Sequence, residues 1–473
     1  MQTPPTSHTD VPRKPKVLIV GAGLGGLMLA ILLQRAGIPF TLFERSGDPR
    51  PLGSILSLNA VVIPIFQQLG VLDQLLAITL PIPCRYMYDH DLNQTALVQM
   101  PDLIEQVGHP YLAVDRPSLY SLLLSLVPPG CILFNKRITN MSEYIGGVSV
   151  SCADKDVYHG DILVGADGVH SAVRQIMFKR LEELQKLPLE DTEALTRGYI
   201  TVLGTTRHLD PERFKGIATS HCDFSHIFGN RCSYTWSTLN VPGNRICWSI
   251  HWQTDASTGE DHLFRSSGWD HPVAQDVLKA CANFKTVYGV PLGDFFKETP
   301  GDGISMVFLE EKLFKTWHFG RTGLIGDACH KMLPSSGQGA VNAFHDAIIL
   351  ANLIYEYQPT TSETISAMFE EFKTERFERI EKQYSVSRFQ AMMLYGQDLK
   401  SRVLRHLALK HLPKWVQTRW VLKMSTYRPQ ASFLPRVPNA GTLSVEPQPE
   451  SERYRREQAK CNIDKGPIQE QVP

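Results

Sequence analysis

Apolar positions along the chain change period in a way that marks a few strong elements. Lys16 to Val20 is an apolar, β-branched run and predicts a short buried strand. Leu27 to Ala36 repeats apolar residues at helical spacing and stops at Gly37; Pro39 to Phe43 returns to a strand pattern. With the turn Gly21–Gly26 between them, these segments predict a β-α-β unit. Further on, Gly146–Cys152 with Asp156–Tyr158 reads as a hairpin and Asp161–Ala166 as another buried strand. From about Thr192 to Ser305 the texture alternates. Arg231–Trp236 and Ile246–Trp252 read as strands with one aromatic face, which predicts an antiparallel sheet. Leu324–Gly326 is a strand end, Ala340–Tyr355 a strong helix and Glu370–Tyr395 a charged amphipathic one.

These patterns divide the chain. Residues 1–14, rich in Pro and Thr, read as disordered. A Rossmann-like α/β domain is expected from 15–79, 113–190 and 305–395. An interleaved antiparallel-sheet domain is expected from 80–112 and 191–304. Residues 396–473 read as C-terminal helices followed, from Pro429, by an extended tail with little fold.

Composition narrows the function classes. Hydrophobic residues are 43% and charged residues 20%, so there is ample material for a core. Lys+Arg and Asp+Glu are both 48, which argues against nucleic acid as a partner. The nine cysteines form no CxxC, which supports neither a disulfide framework nor a zinc ribbon and suits a reducing, cytoplasmic compartment. Val17 to Leu33, behind Arg13, Lys14 and Lys16, imitates a signal peptide. Its glycines would cost a helix about 1 kcal/mol each, and no small-residue cleavage site follows.

Four constellations carry chemistry. In Gly21-Ala-Gly23-Leu-Gly25-Gly26, the first glycine permits a tight turn and the second lets backbone approach a pyrophosphate. The third, Gly26, allows close helix–strand packing. Glu44 follows Gly26 by 18 residues, where a carboxylate takes ribose hydroxyls; this disfavours the 2′-phosphate of NADP and leaves FAD or NAD. Asp115-Arg116-Pro117 opens a helix with proline at its first position. Asp161 to Arg174 delivers Asp167-Gly168 into a turn, with Ser171 placed to cap the next helix. Gly326-Asp327, Pro334 and Gly337-Gln338-Gly339-Ala340 set an acid beside a polyol and a helix N-terminus beside a planar anion.

In this order and spacing the four patterns resemble the class A flavoprotein monooxygenases, with the para-hydroxybenzoate hydroxylase-like fold and a single FAD. The resemblance spans about residues 15–355 and is nearest to fungal members of secondary metabolism. It implies that the glycine loop, Glu44 and Arg45 hold the adenosine-diphosphate half, with Arg116 also on FAD. It implies that Asp167-Gly168 is the family's "DG" motif and Asp327 with Pro334, Gly337, Gly339 and Ala340 its "GD" motif. The stretch from Gly53 through Asn59 would lie beside the flavin. NAD(P)H would reduce the FAD, O2 would add to give a C4a-hydroperoxide, and a hydrophobic or aromatic small molecule would be hydroxylated or epoxidised. The chain departs from the family at Ala340, where a glycine is usual, and at Ile200, where the substrate sheet usually carries arginine. Arg197 is the neighbouring catalytic candidate.

Tyr234, Trp236, Trp248 and Trp252 are expected to wall the substrate pocket or pack the core, with His251 on the opposite face, structural or exposed. Cys329 and His330 read as packing. The basic, amphipathic stretch 402–427 fits either a peripheral contact with an anionic membrane surface or a helical subdomain packed on the FAD domain. Two other readings compete: an FAD oxidase or dehydrogenase on the same fold, and a non-enzymatic Rossmann-like binder of a lipid or partner.

Overall fold

The computed structural model describes residues 13–48, 55–99, 101–229, 233–253, 272–411 and 413–464. The sequence-predicted disorder at 1–14 therefore falls almost wholly outside the described residues, as do Gly53 and the start of the strand at Arg231. Arg13, within that span, is placed, its guanidinium 2.5 Å from Asp161.

Val17–Val20 is the centre of a six-stranded sheet. It pairs in parallel with Ile162–Gly165 on one side and Phe40–Phe43 on the other, and Ile162–Gly165 pairs in parallel with Thr322–Leu324. The register aligns Val20 with Gly165 and Phe43, and Gly165 with Leu324. These four parallel strands therefore end at one edge, which delivers Gly21, Glu44, Ala166–Asp167 and Ile325–Asp327 side by side. Parallel pairing with helices on the faces buries the central strands Val17–Val20 and Ile162–Gly165 completely, which is why they read as unbroken apolar runs. Helix Leu24–Arg35 packs against helix Gly339–Tyr357. A small sheet carries the expected hairpin, Gly147–Cys152 with Val157–Gly160, plus an unforeseen third strand, Ile138–Tyr144.

The antiparallel texture resolves into an eight-stranded sheet. Its order runs His330–Lys331, Ile304–Leu313, Thr196–Thr205, Arg245–Gln253, Tyr234–Val241, Phe224–Phe228, Cys84–Tyr88, Gln94–Gln99. The expected boundary at 304/305 is corrected here. Ile304–Leu313 pairs along the length of Thr196–Thr205 and belongs to this sheet.

Two further expectations change. The helix expected from Glu370 begins at Ser362, eight residues earlier, because Thr361 and Thr364 form a reciprocal capping box. The segment after Pro429 is extended but packed: Ala431 and Phe433 are buried. Side-chain amides replace a strand partner, Gln68 bonding Ala431 through both its oxygen and nitrogen and Asn352 bonding Gln430 and Ser432. Helix Glu452–Asp464 then closes on helix Gly339–Tyr357.

Candidate active site

The strand ends surround a cleft of about 890 Å³ lined by Gly21, Gly23, Glu44, Arg45, Arg116, Asp167, Gly168 and His170, among others. Gly21 has φ +103°, and a Cβ there would stand 2.6 Å from the Ala166 carbonyl oxygen; a Cβ at Gly26 would collide with the Gly21 carbonyl. The turn can close only with glycine at both places. Glu44 is fixed at both oxygens, accepting from the Ala22 N–H at 3.0 Å and the Ser46 N–H at 2.9 Å.

Asp167 leaves the neighbouring strand. Its Oδ2 accepts from the Ala172 N–H at 2.7 Å, while Oδ1 is buried without a partner. Burial raises its pKa. Ser171 caps the following helix through the Arg174 N–H, as expected. Arg116 begins helix Arg116–Leu126, which Asp115 caps through the Ser118 N–H. Arg116 is exposed to a water-sized probe, yet burial lowers its pKa and Asp327 acts on it across the gap. A side chain both accessible and desolvated stands on the wall of a deep cleft. Tyr120, whose hydroxyl lacks a partner, is pushed up to about 12 by burial and by Glu44.

Asp327 pairs with Lys331 at 2.6 Å. Burial pushes its carboxyl upward, but Lys331, His330 and Arg116 outweigh this and hold it below the usual carboxylate range. Pro334 starts a short 3₁₀ turn, Gly337 lies against Ser57, and helix Gly339–Tyr357 begins with no side-chain cap. The leading N–H groups of Gly339 and Ala340 are left for a ligand.

Beneath this loop lies a network that sequence reasoning missed. Buried Asp346 accepts from the Gly326 N–H at 2.9 Å, from His330 at 2.6 Å and from Arg376 at 2.8 Å. Burial opposes its ionisation, yet His330 and Arg376 hold the carboxyl well below its ordinary range. His330 thus does more than pack. The cue was an Asp inside the apolar run of a helix, where a charge requires a buried partner.

The aromatic stripe requires a correction. Trp236 and Trp248 are fully buried on the sheet face turned away from the cleft. Trp236 donates to the Lys285 carbonyl and packs on Phe284; Trp248 donates to Thr299 and packs on Phe296. Tyr234 and Trp252 share that face, half-buried and in edge contact with each other. Helices Pro272–Cys281 and Leu292–Lys297 supply apolar partners to this side. None of the four lines the cleft at the strand ends.

The opposite face looks inward. His251 lies there, as its alternation predicts, but it is buried and stacks on Tyr395 at 4.3 Å. His226 bonds Ser237 at 2.6 Å and the Leu394 carbonyl at 3.2 Å. Burial pushes His226 down to about 4 and His251 to about 3, so both are neutral at ordinary pH. Tyr199 joins them in edge contact with Tyr395, in a cluster with Leu333 of the glycine loop. Arg85 is on this face too, beside Phe224. Arg197 stands at a β-bulge, bonded to Glu310 at 2.9 Å, and Glu310 also faces His170 of the Asp167 turn. Helix Leu399–His411 docks on helix Ser362–Tyr395 and on strand Gln94–Gln99, and helix Lys414–Met424 docks on helix Pro101–Val107. Among the described residues no helix is long and apolar enough to cross a membrane.

The family model of the FAD binding domain matches residues 14–188 and 292–408. The chain belongs to the FAD-binding monooxygenase family. It is 30% identical to the FAD-dependent monooxygenase nvfK of Aspergillus novofumigatus over 83% of this chain and 82% of that one. It is 30% identical to ausM of Emericella nidulans over 93% and 90%. In fold it is similar to Klebsiella pneumoniae HpxO complexed with FAD and uric acid: TM-score 0.70, 20% identity, 88% of this chain and 97% of that one. CtdE in complex with FAD and a substrate gives 0.63, 17%, 87% and 98%. As a member of this family the chain is an FAD-dependent oxidoreductase, and the cleft suits that cofactor. It has a glycine cradle too tight for side chains, unpartnered polar atoms on Asp167 and Tyr120, and an uncapped helix N-terminus at Gly339.

Proposed function

We propose that this enzyme uses NAD(P)H and O2 to hydroxylate or epoxidise a hydrophobic or aromatic small molecule held between the flavin and the inner face of the eight-stranded sheet. The observation that carries this reading is that the cleft with Glu44, Arg116 and Asp167 lies at the strand edge that also presents the Asp327 loop, and that Leu333 of this loop packs in one cluster with Tyr199 and Tyr395 of the inner sheet face. FAD, when bound and reduced, supplies the oxygen activation. The glycine turn and the start of helix Leu24–Arg35 would hold its pyrophosphate, with Glu44 on the ribose and Arg116 and Asp327 toward the ribityl chain. Gly339 and Ala340 would stabilise negative charge on the ring through uncapped N–H groups, with Gly337 shaping the turn that presents them. The inner sheet face would exclude bulk water and orient the substrate. Arg197, tethered by Glu310, is a candidate for positioning at its edge.

The test is NAD(P)H and O2 consumption by the FAD-loaded protein, with heavy-oxygen O2 traced into product. Labelled product in step with NAD(P)H consumption supports the monooxygenase; stoichiometric peroxide with no labelled product would favour the oxidase. A protein that takes up no FAD would favour the non-enzymatic binder.

Exposed Leu399, Val403 and Leu407 lie one turn apart, and exposed Trp415 and Trp420 follow among basic residues. They fit a peripheral contact with anionic lipid. Co-sedimentation with anionic vesicles tests it, and equal soluble fractions with and without vesicles would end it.

A further inference from the structure

A second cavity, of about 290 Å³, lies between Pro64 of helix Ile63–Gln68, His109 and the C-terminal segment 428–448. It shares no lining residue with the cleft at the strand ends. Pro64 and Val445 belong to its apolar lining, and Arg428, Arg436 and His109 to its polar lining.

Arg428 is the unusual member. It follows helix Lys414–Met424 and is only 4% exposed. Its Nε donates to the Ser425 carbonyl at 2.8 Å and its Nη1 to Asn439 Oδ1 at 2.8 Å. Asn439 is fixed in turn by the carbonyls of Gly441 and Leu443. These bonds tie the C-terminal segment to the helix end and account for two of the three nitrogens. The third, Nη2, is buried with no hydrogen-bond partner. Among the described residues no carboxylate pairs with this guanidinium. Glu446, the acid in the cavity lining, is engaged elsewhere: Arg379 reaches its two oxygens at 3.3 and 2.8 Å, and the Thr426 hydroxyl donates to it at 3.0 Å. Burial lowers the pKa of Arg428 with no acid to offset it. Burial and the nearby Arg428 also lower that of His109, leaving a neutral imidazole with one N–H to donate. Arg436, exposed, adds a second positive charge to the lining.

A buried guanidinium without an acid is half of an ion pair. The apolar residues choose among the anions that could complete it. Inorganic phosphate is strongly hydrated and needs many donors, whereas this cavity offers one buried fork beside proline and valine. Its volume, at the lower end of ligand pockets (about 300 Å³), suits a molecule the size of benzoate. We propose that this cavity is a second binding site, for a small carboxylate with an apolar body, its carboxylate on Arg428 and its body against Pro64 and Val445. The site stands apart from the oxygenation reaction and does not depend on that reading.

The test titrates FAD-loaded protein with benzoate, benzyl alcohol and inorganic phosphate by calorimetry, following flavin absorbance in parallel. Benzoate is expected to bind about tenfold or more tighter than the alcohol, a typical worth for a charge-assisted bond, and tighter than phosphate. Flavin absorbance should stay constant, because the cavity is separate from the cleft. Arg428→Gln should abolish the preference for the anion. Val445→Trp, which fills the cavity and leaves the bonds of Arg428 in place, should abolish benzoate binding with FAD content unchanged. Benzoate should also raise the thermal midpoint of the wild type and of neither variant. A purely structural Arg428 would lower the midpoint on substitution and create no such ligand dependence. No saturation by about 10 mM benzoate, or phosphate binding tighter than benzoate, would overturn the proposal. So would benzoate binding that changes the flavin absorbance and survives both substitutions, which places the molecule beside the ring. The wild-type comparison decides even where a variant does not fold.

Discussion

Asp346 joins three parts of the chain through one carboxylate. It holds the Gly326 backbone, His330 just after it, and Arg376 on a different helix. Arg376 has no exposed surface; its other hydrogen bonds go to Asn342, and its guanidinium lies over the Tyr427 ring. Asp346→Asn would leave that guanidinium without its charge partner. Removal of one member of a buried pair typically costs about 3–5 kcal/mol, and that loss is expected here in urea unfolding of the FAD-free protein. Weaker FAD retention should accompany it, because the turn that presents Asp327 loses its anchor. The pH dependence has a definite sign. The folded carboxyl is held below its unfolded value, so its stabilisation is complete above about pH 4 and is lost as the pH falls through the folded pKa. Asp346→Asn should flatten that acid limb; an unchanged limb would remove this account of the residue.

At the scale of elements, the eight-stranded sheet separates packing from chemistry by its two faces. Strand alternation correctly put Trp248 and Trp252 opposite His251, but a period of two says nothing about which face looks at the ligand. That was decided by helices Pro272–Cys281 and Leu292–Lys297, whose apolar sides need the aromatic stripe. Trp248→Phe should therefore act on stability alone. It removes the bond to Thr299 and leaves a gap beside Phe296. The cost should be about 1–3 kcal/mol in denaturant unfolding, with FAD affinity and substrate affinity unchanged. A large change in affinity with intact stability would return Trp248 to the pocket wall. The same contrast explains what could be read in advance. The glycine turn, Glu44, Asp167 and the Asp327 loop are contiguous motifs, whose spacing is dictated by backbone that must meet phosphate. Arg85, His226 and Tyr395 meet only because Phe224–Phe228 pairs with Cys84–Tyr88 across more than a hundred residues and one long helix ends above them. No local pattern carries that pairing.

At the scale of the whole molecule, three buried histidines among the described residues are held neutral at two places: His226 and His251 on the inner face of the eight-stranded sheet, and His345 on helix Gly339–Tyr357. Burial lowers them to about 4, 3 and 3. His345 bonds the Val61 carbonyl and so ties the segment beside the ring to the helix that starts at the glycine loop. On unfolding each returns to an ordinary value near 6.5, so between that value and the folded pKa the unfolded chain binds the extra protons. Each site's stabilisation is complete above the unfolded pKa and shrinks as the pH falls. At pH 5 the loss is about 2 kcal/mol for each site, a large part of a typical folding free energy. Urea midpoints of the FAD-free protein should fall steadily from pH 7 to pH 5, well before the carboxylates titrate. His345→Gln, which keeps a donor for the Val61 carbonyl, should remove about a third of that slope. A midpoint flat across this range would show that the imidazoles are hydrated in the folded state.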